Sequence, residues 1–344
     1  MNDTIRVGVI GAGANTIKHH IPKLQAIDGV EVVSVCNRSR ESSQRVADQF
    51  DILTIYDNWW DLIAASDTNA IVIGTWPYMH CQLVLAALAA DKHVMVEARM
   101  AMNADEARQM LAAAQARPQL ITQIVPSPFS FGVDATIKRL IAEGYLGDIL
   151  AIELRDHSGG FLDTDGPLHW RHNFDLSGFN IMTMGIWYET LIRWVGDATA
   201  VVARGQTYVK MRRDPQSNQL KAVRIPEHIT ILADMACGAQ ATISVSQVTG
   251  LMPSREAALY GSQGTLRFAD GKLYGGQRGD KALQEIEVPA EEQSSWRVEE
   301  EFVGAIRGQE VIRFTSFEAG VKHMEFTEAV TRSLTEGCII SLPL

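Results

Sequence analysis

The sequence predicts an α/β fold in two parts: an N-terminal parallel sheet wound with crossover helices, then a C-terminal α+β part with a large, mainly antiparallel open sheet. Three observations carry this. Residues 1–125 alternate short β-branched runs with segments of helical periodicity, the rhythm of βαβ units. A glycine-rich turn follows the first apolar run directly. From residue 199 onward the strand patterns lengthen and are separated by turn clusters rather than helices, as in an antiparallel sheet. A chain of 344 residues, 46% hydrophobic and 21% charged, suits two cores better than one. Pro126-Ser127-Pro128 breaks the alternation, so the expected domains are 1–125 and 126–344, with the final strand or helix free to pack back on the first.

The elements follow in order. Strands are expected at Arg6–Ile10, Glu31–Cys36, Ala70–Ile73, His93–Val96 and Leu120–Val125, and helices at Ser42–Phe50, Trp59–Ala65, His80–Ala90 and Asn103–Ala116, where apolar residues recur at helical spacing. Past the break come a helix, Val133–Glu143, a strand, Ile149–Arg155, and a glycine-containing helix, Ser177–Trp194. Alternating strands at Ile229–Met235 and Gln240–Gln247 precede a closing helix, Phe317–Thr335, which Gly337 ends.

Composition narrows the function. Lys plus Arg is 31 against 41 Asp plus Glu, a net charge of −10, so the positive footprint that nucleic acid or an anionic membrane needs is missing. A small-molecule partner is expected instead. Cys36, Cys81, Cys237 and Cys338 are widely spaced and form no CxxC pair, which fits a reducing cytoplasm and argues against a disulfide framework or a zinc knuckle. The N-terminus enters a strand pattern without a basic segment and long apolar run, and Leu83–Ala90 is far short of a membrane span, so neither export nor anchoring is expected.

The strongest motif is Gly11-Ala12-Gly13-Ala14-Asn15-Thr16, placed between the first strand and a helix. Gly11 permits the tight turn and Gly13 lets backbone N–H groups approach a pyrophosphate at the helix start, which makes this half a Rossmann dinucleotide-binding domain. Thr16 departs from the small third residue of that fingerprint. At the end of the second strand, where a carboxylate would hold a ribose 2′-hydroxyl, the chain has Asn37-Arg38-Ser39. Without a carboxylate and with an arginine in reach, NADP is favoured over NAD on charge.

Further segments resemble the Gfo/Idh/MocA family, the glucose–fructose oxidoreductase and inositol dehydrogenase group. They are Thr75-Trp76-Pro77-Tyr78-Met79-His80, Asp91-Lys92-His93-Val94-Met95-Val96-Glu97, Trp170-Arg171, the segment around Gly185, and Tyr260-Gly261-Ser262-Gln263-Gly264-Thr265-Leu266. The resemblance implies a nicotinamide-dependent oxidoreductase whose dinucleotide is bordered by Gly11, Gly13, Ala14, Asn15, Asn37, Arg38, Ser39, Thr75, Trp76, His80, Glu97 and Ala98, with Trp170 and Arg171 closing over it.

At the catalytic positions the resemblance breaks. The family's lysine is replaced by Ala98, and its Asp and His, four residues apart on one helix, by Thr183 and Trp187. Replacements are sought in the polar stretch 156–175. His169 and His172 are the leading acid/base candidates, since imidazole titrates near neutrality, with Tyr188 a further one. Arg99, Asp165, Thr183 and Trp187 are candidate substrate contacts, and no metal site is expected. The expected function is an NADP-preferring oxidoreductase acting on a sugar, cyclitol or related hydroxyl/keto compound with a non-standard proton donor, in a homodimer or homotetramer. Two alternatives stay open: a lyase, hydrolase or epimerase that retains its cofactor through transient oxidation, and a non-catalytic dinucleotide or sugar sensor.

Overall fold

The computed structural model describes residues 4–344; Met1–Asp3, where the reading of the N-terminus began, lie outside the described residues. The chain divides into two compact units, one of residues 1–126 with 297–321 and one of residues 127–296 with 322–344.

In the first unit, β1 (Ile5–Ile10), β2 (Val30–Cys36), β3 (Thr54–Ile55), β4 (Ala70–Ile73), β5 (His93–Val96) and β6 (Thr122–Ile124) form one sheet in the order β3-β2-β1-β4-β5-β6. Every neighbouring pair is parallel. Buried on both faces, β4 reads as continuous apolar residues, Ala70-Ile71-Val72-Ile73. The strand order reverses direction between β1 and β4, and in open parallel sheets a ligand crevice lies at that point, outside the carboxyl ends of the strands.

Three of the connecting helices start where a side chain satisfies a free N–H group. A π-helical turn (Thr16–His20) leads into α1 (Ile21–Gln25). Ser39 caps α2 (Arg40–Phe50), Asn58 caps α3 (Trp59–Ala64) and Asn103 caps α5 (Ala104–Gln115). Between the last two, α4 (Pro77–Ala89) begins three residues before the expected His80, because Pro77 at the first helical position is preset for helix and needs no N–H partner.

The second unit opens with α6 (Phe131–Ala142), β7 (Ile149–His157), α7 (Phe174–Ser177) and α8 (Met184–Val195). The expected single helix over Ser177–Trp194 is thus broken: Gly178 and Met182 adopt positive φ of 61° and 41°, outside helical geometry. Then come β8 (Ala198–Gln206), β9 (Met211–Arg213), β10 (Leu220–Ala222), β11 (His228–Met235), β12 (Gln240–Ser246), β13 (Ser254–Gly261), β14 (Gly264–Ala269), β15 (Lys272–Gln277) and β16 (Gln284–Glu285). The chain ends through α9 (Val298–Ile306), α10 (Phe317–Glu336) and β17 (Ile340–Ser341).

The large sheet has the order β16-β15-β14-β13-β7-β12-β11-β8-β17 and is antiparallel except where β12 joins β7. One face packs on helices through Ile152, Leu154, Ile231, Ile243, Leu259, Trp187, Leu191 and Phe326. Across the opposite face runs the paired row Val202, Leu232, Thr242, Glu153, Ala258 and Arg267.

The segment 297–321 belongs to the first unit; of the residues expected in 126–344, only the final strand or helix was expected to be free to pack back on the first part. Beside β6, Ile124 and Thr315 exchange both backbone hydrogen bonds, at 3.0 and 3.1 Å. The Gln123 side chain donates to Glu301 and to the Phe314 carbonyl, at 2.9 and 2.7 Å. The long α10 begins in this unit and finishes in the other.

Candidate functional site

Four loops at the carboxyl ends of β1, β2, β4 and β5 frame the site in the first unit. Gly11 has φ of +80°, and a Cβ there would meet the Thr75 Cγ2 at 2.5 Å and the Thr75 backbone N at 2.8 Å. Only glycine lets the β1 and β4 loops approach so closely. Gly13, Ala14 and Asn15 are exposed at the start of the helical run; the Gly13 N–H turns back to the Gly11 carbonyl at 2.8 Å, and the N–H groups that follow are those a helix start leaves for an anion. Thr16 is accommodated because position 74 is glycine: a side chain at Gly74 would collide with the Thr16 hydroxyl.

Asn37 holds the loops together. Its Oδ1 accepts from the Ala12 N–H at 2.7 Å, its Nδ2 donates to the Ser42 carbonyl, and its own N–H reaches the Ser43 hydroxyl. The side chain is therefore a brace between glycine loop and second loop. Arg38 and Ser39 are exposed beside it, with Ser39 capping α2. An exposed guanidinium next to a capped helix start is a setting that suits a phosphate.

At the end of β5, Glu97 accepts from the Asn15 side chain and from the Ala98 N–H, and lies 3.0 Å from His20. His20 was missed in the sequence, where His19-His20 gave no sign of which ring turns inward. His80, expected at the ligand, is instead fully buried with both ring nitrogens at 2.9 Å from backbone carbonyls, of Thr75 and of Arg99. It packs behind the β4 and β5 loops; burial holds its pKa below the usual value, and the neutral ring donates to one of the two carbonyls. Arg99, expected to hold substrate, is itself buried. Glycines without room for a Cβ, N–H groups left at the helix start and an exposed arginine make a set of residues that fits a dinucleotide.

In the second unit, Thr183 and Trp187, at the start of α8, converge on a carboxylate. Asp156, buried on β7, accepts from the Thr183 hydroxyl at 2.6 Å and the Trp187 indole N–H at 2.9 Å, and its other oxygen lies 3.3 Å from Arg255. Trp187 is fully buried between Phe129 and Phe268, so it is core and not a wall open to substrate. Tyr188 is also removed from the catalytic candidates: its ring stacks on Phe326 at 3.7 Å, its hydroxyl accepts from the Ala198 N–H, and burial pushes its pKa up. Asp156 was legible in principle, because Ile152 and Leu154 on the same face of β7 are apolar and a carboxylate in that row has to be paired. It lines a cavity of about 500 Å³ with Phe129, His157, Ser254, Arg255 and Phe268.

A second cavity, of about 210 Å³, brings together His169, His172, Arg212, Glu227, Gln247 and Phe161. His172 pairs with the Gln247 side chain at 2.9 Å. Arg212 and Glu227 are both buried, 3.7 Å apart. Arg212 donates to the carbonyls of Asp163 and Gly166, and Glu227 accepts from the Tyr208 N–H. Burial lowers the pKa of both histidines. Asp165, a proposed substrate contact, is exposed on a turn organised by Asp163; Asp163 lines this cavity and Asp165 does not. Trp170 and Arg171 form the short helical turn between the two histidines, the guanidinium lying 4.2 Å over the indole.

Comparison with known proteins defines the class. Residues 5–123 match the model of an oxidoreductase family with an NAD-binding Rossmann fold, and residues 135–267 match the Gfo/Idh/MocA C-terminal domain. The chain belongs to the Gfo/Idh/MocA oxidoreductase family. Among its relatives, an uncharacterised oxidoreductase of Synechocystis is 24% identical over 274 residues, 78% of this chain and 72% of the relative. An inositol 2-dehydrogenase of Serratia proteamaculans is 28% identical over 151 residues, 43% of this chain and 44% of that enzyme, so the match spans under half of the named enzyme. Two solved structures share the fold: an oxidoreductase domain protein from Kribbella flavida (TM-score 0.85, 20% identity, 99% and 100% of the two chains), and levoglucosan dehydrogenase in complex with NADH and L-sorbose (TM-score 0.84, 18%, 98% and 99%).

Proposed function

We propose that this protein is an NADP-preferring dehydrogenase of a sugar, cyclitol or related hydroxyl/keto compound, with a proton-handling group other than the family's lysine, aspartate and histidine. The observation that carries the reading is the glycine loop, braced by Asn37 and Thr75, with Arg38 exposed at the position that would otherwise hold a carboxylate. Gly11, Gly13, Ala14, Asn15 and the Arg38-Ser39 turn would hold the dinucleotide, and a nicotinamide bound there supplies hydride transfer. The names of the relatives, inositol 2-dehydrogenase and levoglucosan dehydrogenase, support a polyhydroxylated substrate.

Proton transfer is assigned to His172, with His169 beside it. His172 is half-buried and His169 exposed; desolvation lowers the pKa of both, which favours the neutral ring, the state in which an imidazole takes a proton from a substrate hydroxyl. The Arg212–Glu227 pair offers both a donor and an acceptor, matching hydroxyls, which do both. We further propose that the protein works in the cytoplasm, its four cysteines free, and that copies pair through the open sheet face to give a homodimer or homotetramer. Light scattering checks the assembly.

Calorimetric titration with NADP and NAD, followed by turnover assays on inositol, levoglucosan and L-sorbose, tests the main reading. Tight NADP and weak NAD binding with net reduction of NADP supports it. Turnover without net cofactor change would instead indicate a retained-cofactor lyase or epimerase. Binding of neither dinucleotide would overturn it.

A further inference from the structure

His20 ends the π-helical turn that follows the glycine loop and is fully buried. Its Nδ1 lies 2.5 Å from Glu299 on α9, and its Nε2 lies 3.0 Å from Glu97 at the end of β5. The Glu97 oxygen that faces His20 also accepts from the side chain of Asn15, on the exposed start of the helical run. Lys23 stands 3.8 Å from the far oxygen of Glu299. Glu299 is delivered by the 297–321 segment, the stretch of late sequence that joins the first unit.

A neutral imidazole has one N–H, yet both ring nitrogens here face carboxylate oxygens. Only the imidazolium donates to both. Burial opposes that charge, but the hydrogen bonds that the ring donates to Glu299 and Glu97 and the charges of those carboxylates outweigh it, and the pKa is raised to about 9. With Lys23, the two carboxylates are then matched by two cations.

Resting on the reading of the glycine loop as a dinucleotide site, we propose that Glu299–His20–Glu97 is a charge-neutralising latch on that site, with His20 as its positioning residue. The protonated ring keeps Glu97 turned toward Asn15 and cancels a negative charge that would otherwise face an incoming pyrophosphate. Loss of the proton leaves Glu97 uncompensated beside the glycine loop, and dinucleotide affinity falls. Among the described residues, the charged and titratable groups around the ring include Glu97 from the β5 end, Glu299 from α9, Lys23 from α1, and Lys18 and His19 from its own turn. Because the pKa of His20 is raised on folding, the latch is fully formed below pH 6.5 and is lost as pH rises through about 9.

The test is calorimetric titration with NADP between pH 6 and 10, together with thermal melting of the dinucleotide-free protein over the same range. Wild type should hold constant affinity to about pH 8 and then weaken about tenfold, the order expected for one uncompensated partly buried charge. Its melting temperature should fall over the same interval. His20→Gln should bind about tenfold more weakly at pH 7 and show neither break. Glu299→Gln, which removes one of the two carboxylates, should move both breaks to lower pH. Wild-type affinity and an unmoved profile in either variant would overturn the latch; if His20→Gln does not fold, Glu299→Gln decides. Should wild type bind no dinucleotide at pH 7, the ligand reading fails, and the melting profile still reports whether the buried proton is there.

Discussion

The two units build their sites in opposite ways. In the first, each contributing residue sits one or two positions after a parallel strand, so a short motif and its position suffice to bring Gly11, Asn37, Thr75 and Glu97 to one edge of the sheet. In the second, Asp156 comes from β7, Thr183 and Trp187 from the start of α8, and Arg255 from β13, while Arg212 and Glu227 come from β9 and the approach to β11. A site made of strand ends tolerates little drift, because its backbone is the ligand-binding surface. A site made of side chains can change its chemistry one residue at a time, and here the carboxylate that Thr183 and Trp187 now address lies on a strand instead of the helix.

The sharpest way to break this contrast is to disturb the backbone site. Gly11→Val places a branched side chain at a positive φ and into the Thr75 backbone. We expect dinucleotide affinity to fall more than about a hundredfold, because the strained loop can no longer present its N–H groups. Calorimetry reads the affinity. Retention of wild-type affinity would show that the β1 loop is not the ligand surface.

Next in size is the side-chain site. His172→Ala should lower turnover on an accepted substrate by about a hundredfold with KM little changed, as for loss of a general base. In wild type, activity should fall on the acid side as His172 takes a proton, at a pH below the ordinary imidazole value of 6.5, since burial lowers its pKa. An unchanged kcat would move the proton-handling role elsewhere, with Asp156 the first place to look.

Asp156→Ala tests how the second unit is held. It leaves the Thr183 hydroxyl and the buried Trp187 N–H without their acceptor, at about 2 kcal/mol of unfolding free energy. Urea denaturation measures this, and a change under about 0.5 kcal/mol would mean that water replaces the carboxylate.

These sizes track how much was legible beforehand. The parallel first sheet and the glycine loop follow from local patterns, and the structure agrees on them, while the strand order was not read and β3 was missed. The errors at the candidate site residues share one cause: a motif places a residue along the chain without saying which way its side chain points. His80 turned inward to two carbonyls, and Tyr188 and Trp187 turned into the core of the second unit. His20 was invisible because the π-helical turn adds a residue and so selects the second of two adjacent histidines to face inward. The Arg212–Glu227 pair depends on placing two segments side by side across the sheet end, and no single-chain pattern supplies that register.

The smallest expected effect bears on the boundary between the two kinds of site, because Arg38 is a side chain on a backbone-built surface. It is exposed, and its role rests on charge and reach alone. Arg38→Ala should weaken NADP binding about tenfold while changing NAD binding less than about twofold, since only the 2′-phosphate meets the guanidinium. The NADP loss should shrink with added salt, as it does for an exposed ion pair. Equal losses for both dinucleotides would make Arg38 part of the loop's architecture, and the contrast between a backbone-built and a side-chain-built site would then hold in full for the first unit.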